Sequence, residues 1–301
     1  MFELKNEKVA IPVVLFAGLL WSFGPLVVRY MDEPGTTPWQ YIFARGLTIF
    51  VVLNLYLFFE EGKNFVKNYL KIGISGLIGG CGLGIAMITF IYSITNTSAA
   101  ITLLCLAAMP FFTALLGFLF LKEKISLNVW LAIIIATIGL VIIALGNKEK
   151  SSIIGLIFGM TSSIGFSIFS VTLRWRKETP KFTTVAFAGL FCFIFATAMI
   201  LLKGQVFFST SYNSSLFSLH GTLVCLGLIL YSIGSKAIPA AELTLLSLTE
   251  VIGGIFWVWL PLFGINEVPD SNTIIGGFFL FISLFYYSLI MRWNKRYIGL
   301  N

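Results

Sequence analysis

From Ile72 to Leu121 the chain runs for 50 residues without a single Asp, Glu, Lys or Arg. A soluble domain carries about 25% charged residues spread along its length, so a stretch of this kind has no surface to offer to water. About 20 residues of helix cross the roughly 30 Å hydrocarbon core of a bilayer. The stretch is therefore too long for one crossing and fits two, joined by a tight turn around Asn96. The rest of the chain agrees: 58% of its 301 residues are hydrophobic, 11% are charged, and the mean hydropathy is +0.95. Thirty Phe, seven Trp and ten Tyr suit lipid-facing surfaces and interfacial belts.

Dividing the chain at its charges and turn residues gives ten spans. They run from Ile11 to Met31, Trp39 to Phe59, Leu70 to Tyr92, Thr97 to Leu121, Leu127 to Leu145, Ile153 to Leu173, Phe182 to Leu202, Leu216 to Ser235, Ala240 to Phe263, and Thr273 to Met291. Backbone polar groups in lipid must be satisfied within the segment, and the short alternating strands of a barrel do not occur. The expected fold is thus all-α integral membrane. The first apolar run continues to Arg29 without a small-residue cleavage site, so helix one is expected to be retained.

The basic residues set the expected orientation. With a cytoplasmic N-terminus, fifteen Lys and Arg fall in cytoplasmic loops and tails (Lys5, Lys8, Lys63, Lys67, Lys71, Lys122, Lys124, Arg174, Arg176, Lys177, Lys181, Lys236, Arg292, Lys295 and Arg296). Only four, Arg29, Lys148, Lys150 and Lys203, fall outside. The positive-inside rule then puts both termini in the cytoplasm of a cell inner membrane. The net charge of +7 is read as this topology signal, and nucleic acid is not an expected partner. Cys81, Cys105, Cys192 and Cys225 lie in apolar runs without paired spacing, so they read as small core residues, with no disulfide framework or metal site.

The two halves carry matching residues. At a shift of 141, Gly18 and Gly24 fall on Gly159 and Gly165, and Ala99-Ala100 falls on Ala240-Ala241. Tyr92-Ser93-Ile94 is similar to Tyr231-Ser232-Ile233 at a shift of 139. Each half, residues 1–146 and 147–301, then holds five spans in the same order, and an odd number makes the copies run in opposite senses. Inverted five-helix repeats of this kind are typical of secondary transporters, whose substrate sits near the midplane between the halves.

Several segments also carry a family likeness over nearly the full chain. These are Gly18-Leu-Leu-Trp21-Ser22-Phe-Gly24, Ala44-Arg45, Pro110 followed by Thr113-Ala-Leu-Leu-Gly117 and Leu121-Lys-Glu123, and Leu248-Thr249-Glu250-Val251 on to Gly264-Ile-Asn-Glu267. Together they resemble the EamA-type transporters of the drug/metabolite transporter superfamily, which have two EamA repeats. The resemblance implies a transport role for substrates ranging over amino acids, amines, sugars, nucleotide-like metabolites and vitamins. Val251 departs from the pattern, standing where many members have proline.

Ionisable groups inside spans are costly and are functional candidates by default. Arg45 lies about seven residues, roughly 10 Å, below the external end of its helix, and Glu250 lies roughly 15 Å from either face. The two are expected to share a cavity, either pairing with each other or meeting the carboxylate and amine ends of a zwitterion. Glu250 is also a candidate for a coupling proton. Ser22 and the mid-span aromatics Trp21, Tyr92, Tyr231 and Trp257 are candidates for substrate contact, against an alternative in packing. Pro25 and Pro110 interrupt their helices and are candidates for kinks or gating. Gly76, Gly80 and Gly84, and likewise Gly155, Gly159, Ser163 and Ser167, form small-residue stripes expected to pack helices closely. Glu123 and Glu267 read as solvated span-end charges, and His220 as a residue near an external span end unsuited to catalysis or metal binding.

These features favour a secondary transporter moving a small metabolite, an amino acid or related compound, by alternating access, with no cofactor. A multi-span membrane enzyme would need a convergent acid, base or metal set, and a channel would need a repeated filter or charged rings. Neither occurs here.

Overall fold

The computed structural model describes residues 6–33, 37–97, 99–146, 153–176, 178–265 and 271–298, and every regular element among them is helical. Lys5, Lys148, Lys150, Lys177, Glu267 and the proposed start of the second half at 147 lie outside the described residues.

In chain order the helices are α1 (Glu7–Trp21), α2 (Gly24–Tyr30), α3 (Pro38–Glu61), α4 (Phe65–Leu70), α5 (Gly73–Asn96), α6 (Ala99–Leu106), α7 (Met109–Leu116), α8 (Leu127–Gly146), α9 (Ile153–Trp175), α10 (Lys181–Leu202), α11 (Ser211–Gly234), α12 (Ala240–Leu246), α13 (Thr249–Trp259) and α14 (Ser271–Ile298). A single wide turn at Gly117–Leu121 extends α7. α5 ends at Asn96, where the chain turns through an extended Thr97. α3 stops at Gly62, whose φ of +59° is open to glycine and strained for other residues.

Among the described residues, seven helical stretches are long and apolar enough to cross a membrane: Glu7–Tyr30, Pro38–Leu70, Gly73–Asn96, Ile153–Trp175, Lys181–Leu202, Ser211–Gly234 and Ala240–Trp259. Three shorter apolar helical stretches, Met109–Leu121, Leu127–Gly139 and Ile274–Tyr287, fall within the remaining apolar runs. The protein is an all-α, multi-pass membrane protein.

The most extensive helix contacts are α5 with α9, α3 with α10, α8 with α14, and α1 with α11, followed by α5 with α10 and α3 with α11. Lipid supplies no hydrophobic drive between helices, so close backbone approach through small residues is what holds such crossings. A Cβ on Gly46 would lie 2.9 Å from the Gly189 carbonyl oxygen, and one on Gly165 would lie 2.6 Å from that of Gly82. The stripe Gly76, Gly80 and Gly84 faces Thr184, Phe187 and Phe191 of α10, and Gly159 lies against Cys105 of α6. Cys105, Cys192 and Cys225 are free and buried, and Cys81 is free and half-buried.

Three apolar helices are broken at mid-length. Pro25 opens α2 and Pro110 opens α7, in the first turn where a missing N–H costs nothing. α12 and α13 break at Ser247 and Leu248 without any proline.

Candidate functional site

The breaks face an internal cavity of about 60 Å³. Its wall includes Trp21 at the end of α1, Arg45 of α3, Phe90 of α5, Leu106 and Met109 on either side of the α6–α7 break, Phe166 of α9, His220 and Val224 of α11, and Glu250 in the first turn of α13.

Arg45 is only 6% exposed, and its Nε and Nη1 atoms are buried without a hydrogen-bond partner. Its guanidinium carbon lies 5.9 Å from the centre of the Phe90 ring. Glu250 lines the same cavity and keeps partial exposure there. Among the described residues no ion pair joins these two charges, whereas Arg174 does pair with Glu123. A buried cation without a hydrogen-bonded anion is costly, so the arrangement leaves two guanidinium nitrogens without a partner beside a cavity whose wall also carries the Glu250 carboxylate.

Trp21 is fixed in the wall by donation from its Nε1 to the Val224 carbonyl at 3.2 Å and by ring contacts with Phe166 and Tyr231. Tyr231 is fully buried behind it, held to Ser170 by a 2.7 Å hydrogen bond, and does not line the cavity. Ser22 and Trp257 bond to each other, with Trp257 Nε1 donating to Ser22 Oγ at 2.7 Å, and both lie off the cavity wall. Tyr92 packs against Trp39 and Phe158, also away from the cavity. Of the residues singled out in the sequence, Arg45, Glu250 and Trp21 come together on the wall. Pro25 and Pro110 sit at the breaks beside it.

His220 departs from its expected place. α11 begins at Ser211, five residues before the predicted start, and this puts His220 about 14 Å into the helix. There it is buried, lines the cavity, and shares a hydrogen bond between its Nδ1 and the Tyr41 hydroxyl. The signal was present: Thr210 accepts from the Asn213 N–H at 3.0 Å as an N-cap, a residue type that marks helix starts.

Glu123 is a second correction, since it is not a solvated loop charge. Its Oε1 accepts from Arg174 Nε at 2.6 Å and its Oε2 from the Ala240 N–H at 3.2 Å. Arg174 Nη1 also donates to the carbonyls of Ser235 and Ile238, at 2.9 and 2.7 Å, and Lys181 donates to Ser235 Oγ at 2.6 Å. This network ties the end of α7, the ends of α9 and α11, and the starts of α10 and α12 into one polar layer. No group of three or more His, Cys, Asp or Glu able to hold a metal ion occurs among the described residues.

Helices of membrane-crossing length around a cavity lined by Arg45 and Glu250 define a multi-pass membrane protein with a charged internal site as the class. Residues 8–145 match the EamA-like transporter family. Over 254 residues the chain is 25% identical to an uncharacterized transporter of Helicobacter pylori, covering 80% of each protein. Over 210 residues it is 23% identical to the pseudopaline exporter CntI of Pseudomonas aeruginosa, covering 69% of this chain and 72% of that one. A protein of known crystal structure shares the fold at a TM-score of 0.71 and 15% identity, over 95% of this chain and 99% of the other. The first half of the chain is thus similar to EamA-like transporters, and the longer matches are to proteins named as a transporter and an exporter.

Proposed function

We propose that the protein is a secondary transporter that carries a small zwitterionic metabolite, an amino acid or related compound, across the cytoplasmic membrane by alternating access. The observation that carries this reading is Arg45, buried in an internal cavity with two unpartnered nitrogens while Glu250 lines the same cavity unpaired. A zwitterion meets both demands at once, its carboxylate at Arg45 and its amine at Glu250, and the apolar wall of Leu83, Met87, Phe90 and Met109 suits an uncharged body between them.

Ten spans in two inverted halves belong to the same reading, with both termini cytoplasmic. The helix pairing supports it. Exchanging α1 with α9, α3 with α10, α5 with α11, and α8 with α14 carries the α5–α9 packing onto α11–α1 and the α5–α10 packing onto α11–α3, while α3–α10 and α8–α14 map onto themselves. A pseudo-twofold exchange of this kind is the geometry that lets one half rock against the other around a fixed site. On this orientation the Glu123–Arg174 layer closes the cytoplasmic face.

Counterflow in proteoliposomes tests the proposal. Vesicles loaded with a mixture of unlabelled amino acids accumulate at least one labelled amino acid with the wild type and none with Arg45→Gln or Glu250→Gln. Counterflow unchanged in both variants would remove the cavity from the transport path.

A further inference from the structure

His220 is one of the polar cavity residues, and the reading above gives it no task. It is also the only histidine in the chain. Its Nδ1 is committed to the Tyr41 hydroxyl. That hydroxyl is fully buried, stacked on Phe217, and its hydrogen bond to His220 is the one it makes among the described residues. A phenol proton buried without an acceptor costs about 1–3 kcal/mol, and His220 Nδ1 is the acceptor available. Tyr41 therefore donates and Nδ1 accepts. A neutral imidazole carries one N–H, so the proton sits on Nε2.

His220 lines the cavity, with its Nε2 on the side of the ring away from the Tyr41 bond. A Cβ on Gly24 would stand 3.2 Å from Nε2 and 3.9 Å from Cε1 of Phe90, the ring that lies 5.9 Å from the Arg45 guanidinium carbon. The next residue on α11, Gly221, has no side chain, and a Cβ there would come within 3.2 Å of the Arg45 Cα. Helices α3 and α11 thus bring the His220 ring and the Arg45 side chain to the same part of the wall.

We infer that His220, set by Tyr41 to present Nε2–H to the cavity, forms with Arg45 a two-residue receptor for the anionic, carboxylate end of the cargo. This deepens the transport reading and rests on it for the identity of the cavity. Arg45 supplies the charge. His220 supplies a neutral, directional donor whose tautomer is fixed from behind, as histidine tautomers are set by the bond made at the other ring nitrogen.

A lone histidine makes the test direct, because ¹⁵N-histidine labelling of the detergent-solubilised protein gives one imidazole. The expected result is a protonated Nε2 and a bare Nδ1. Tyr41→Phe is expected to shift the Nδ1 resonance. Sodium acetate, compared with acetamide at equal ionic strength, is expected to shift the Nε2–H resonance in the wild type and to leave it unmoved in Arg45→Gln. A proton on Nδ1, or an Nε2 resonance indifferent to acetate, overturns the inference, and the first result is read in the wild type without any variant. Failure of counterflow with the Nε2 tautomer and acetate response intact would instead remove the transport reading while leaving an anion site.

Discussion

Pro110 and Val251 stand 141 positions apart at matching steps of two broken helices, yet only Pro110 lacks a backbone N–H. Proline at 110 cannot bond back and so frees a carbonyl of α6. The α12–α13 break is made differently. There the N–H groups of Leu248, Glu250 and Val251 reach back only three residues, to Leu245, Ser247 and Leu248, at 3.2, 3.0 and 3.0 Å. The hydroxyls of Thr244, Ser247 and Thr249 take up carbonyls of the same turn, and Thr249 also reaches Leu15 on α1 at 3.0 Å. Side-chain hydroxyls that bond backbone carbonyls bend helices, and here they make without proline the kind of break that Pro110 makes in the first half.

Val251→Pro should therefore be tolerated. It loses one bond, from the Val251 N–H to the Leu248 carbonyl, in the first turn of a helix where proline fits. The expected cost is about 1 kcal/mol, against about 3 kcal/mol or more for Ile255→Pro in the interior of α13. Thermal unfolding of the two variants in detergent compares them. Equal losses would mean that the break does not pre-exist at Ser247.

Arg45→Met separates function from structure. Removing a buried, unpaired cation in favour of an apolar side chain of similar length is expected to raise stability by about 1–3 kcal/mol while abolishing counterflow. A loss of more than about 2 kcal/mol would instead make Arg45 a structural element, as expected of a paired charge whose partner is stranded.

Arg174 bonds three acceptors, Glu123 after α7 and the Ser235 and Ile238 carbonyls of the α11–α12 connection, so truncating it strands more groups than truncating Glu123. The pair is about a fifth to a quarter exposed, with side chains at 24% and 21%, which limits its coupling to about 1 kcal/mol. Arg174→Ala should cost more than Glu123→Ala. Both should raise the reactivity of a cysteine introduced at the cavity-lining Ser162 towards a membrane-impermeant thiol reagent applied from the side of this polar layer. A Glu123→Ala that is more damaging than Arg174→Ala would contradict the bonding described.

Gly227→Ala places a methyl group 2.2 Å from Trp21 Nε1, and this atom is the far edge of a ring already fixed to the Val224 carbonyl. The ring has to move towards the cavity. Transport is expected to fall at least tenfold with the fold retained, as judged by size-exclusion chromatography and helical circular dichroism. Wild-type transport in Gly227→Ala would show that Trp21 does not shape the path.

The membrane fold was legible because the charge-free run from Ile72 to Leu121 allows no other solvent, and the turn near Asn96 followed from its length. Arg45 and Glu250 were legible because ionisable groups are rare inside such runs. His220 was missed for a physical reason. Ser214 and Ser215 make the start of α11 look like a loop, but each hydroxyl bonds a carbonyl four residues back, at 2.8 Å, and so carries its polarity inside the helix. Tyr92 and Tyr231 show the opposite limit. Their matching positions say nothing of which way each helix is rotated, and both rings pack among other aromatics off the cavity wall.

The central claim, that Arg45 and Glu250 hold the cargo, is tested most directly by comparing metabolites in cells and medium on expression of the wild type, Arg45→Met and Glu250→Gln, with membrane levels of each matched. The account predicts at least one small carboxylate-bearing amine that changes sides only with the wild type. The same redistribution with all three proteins would contradict it.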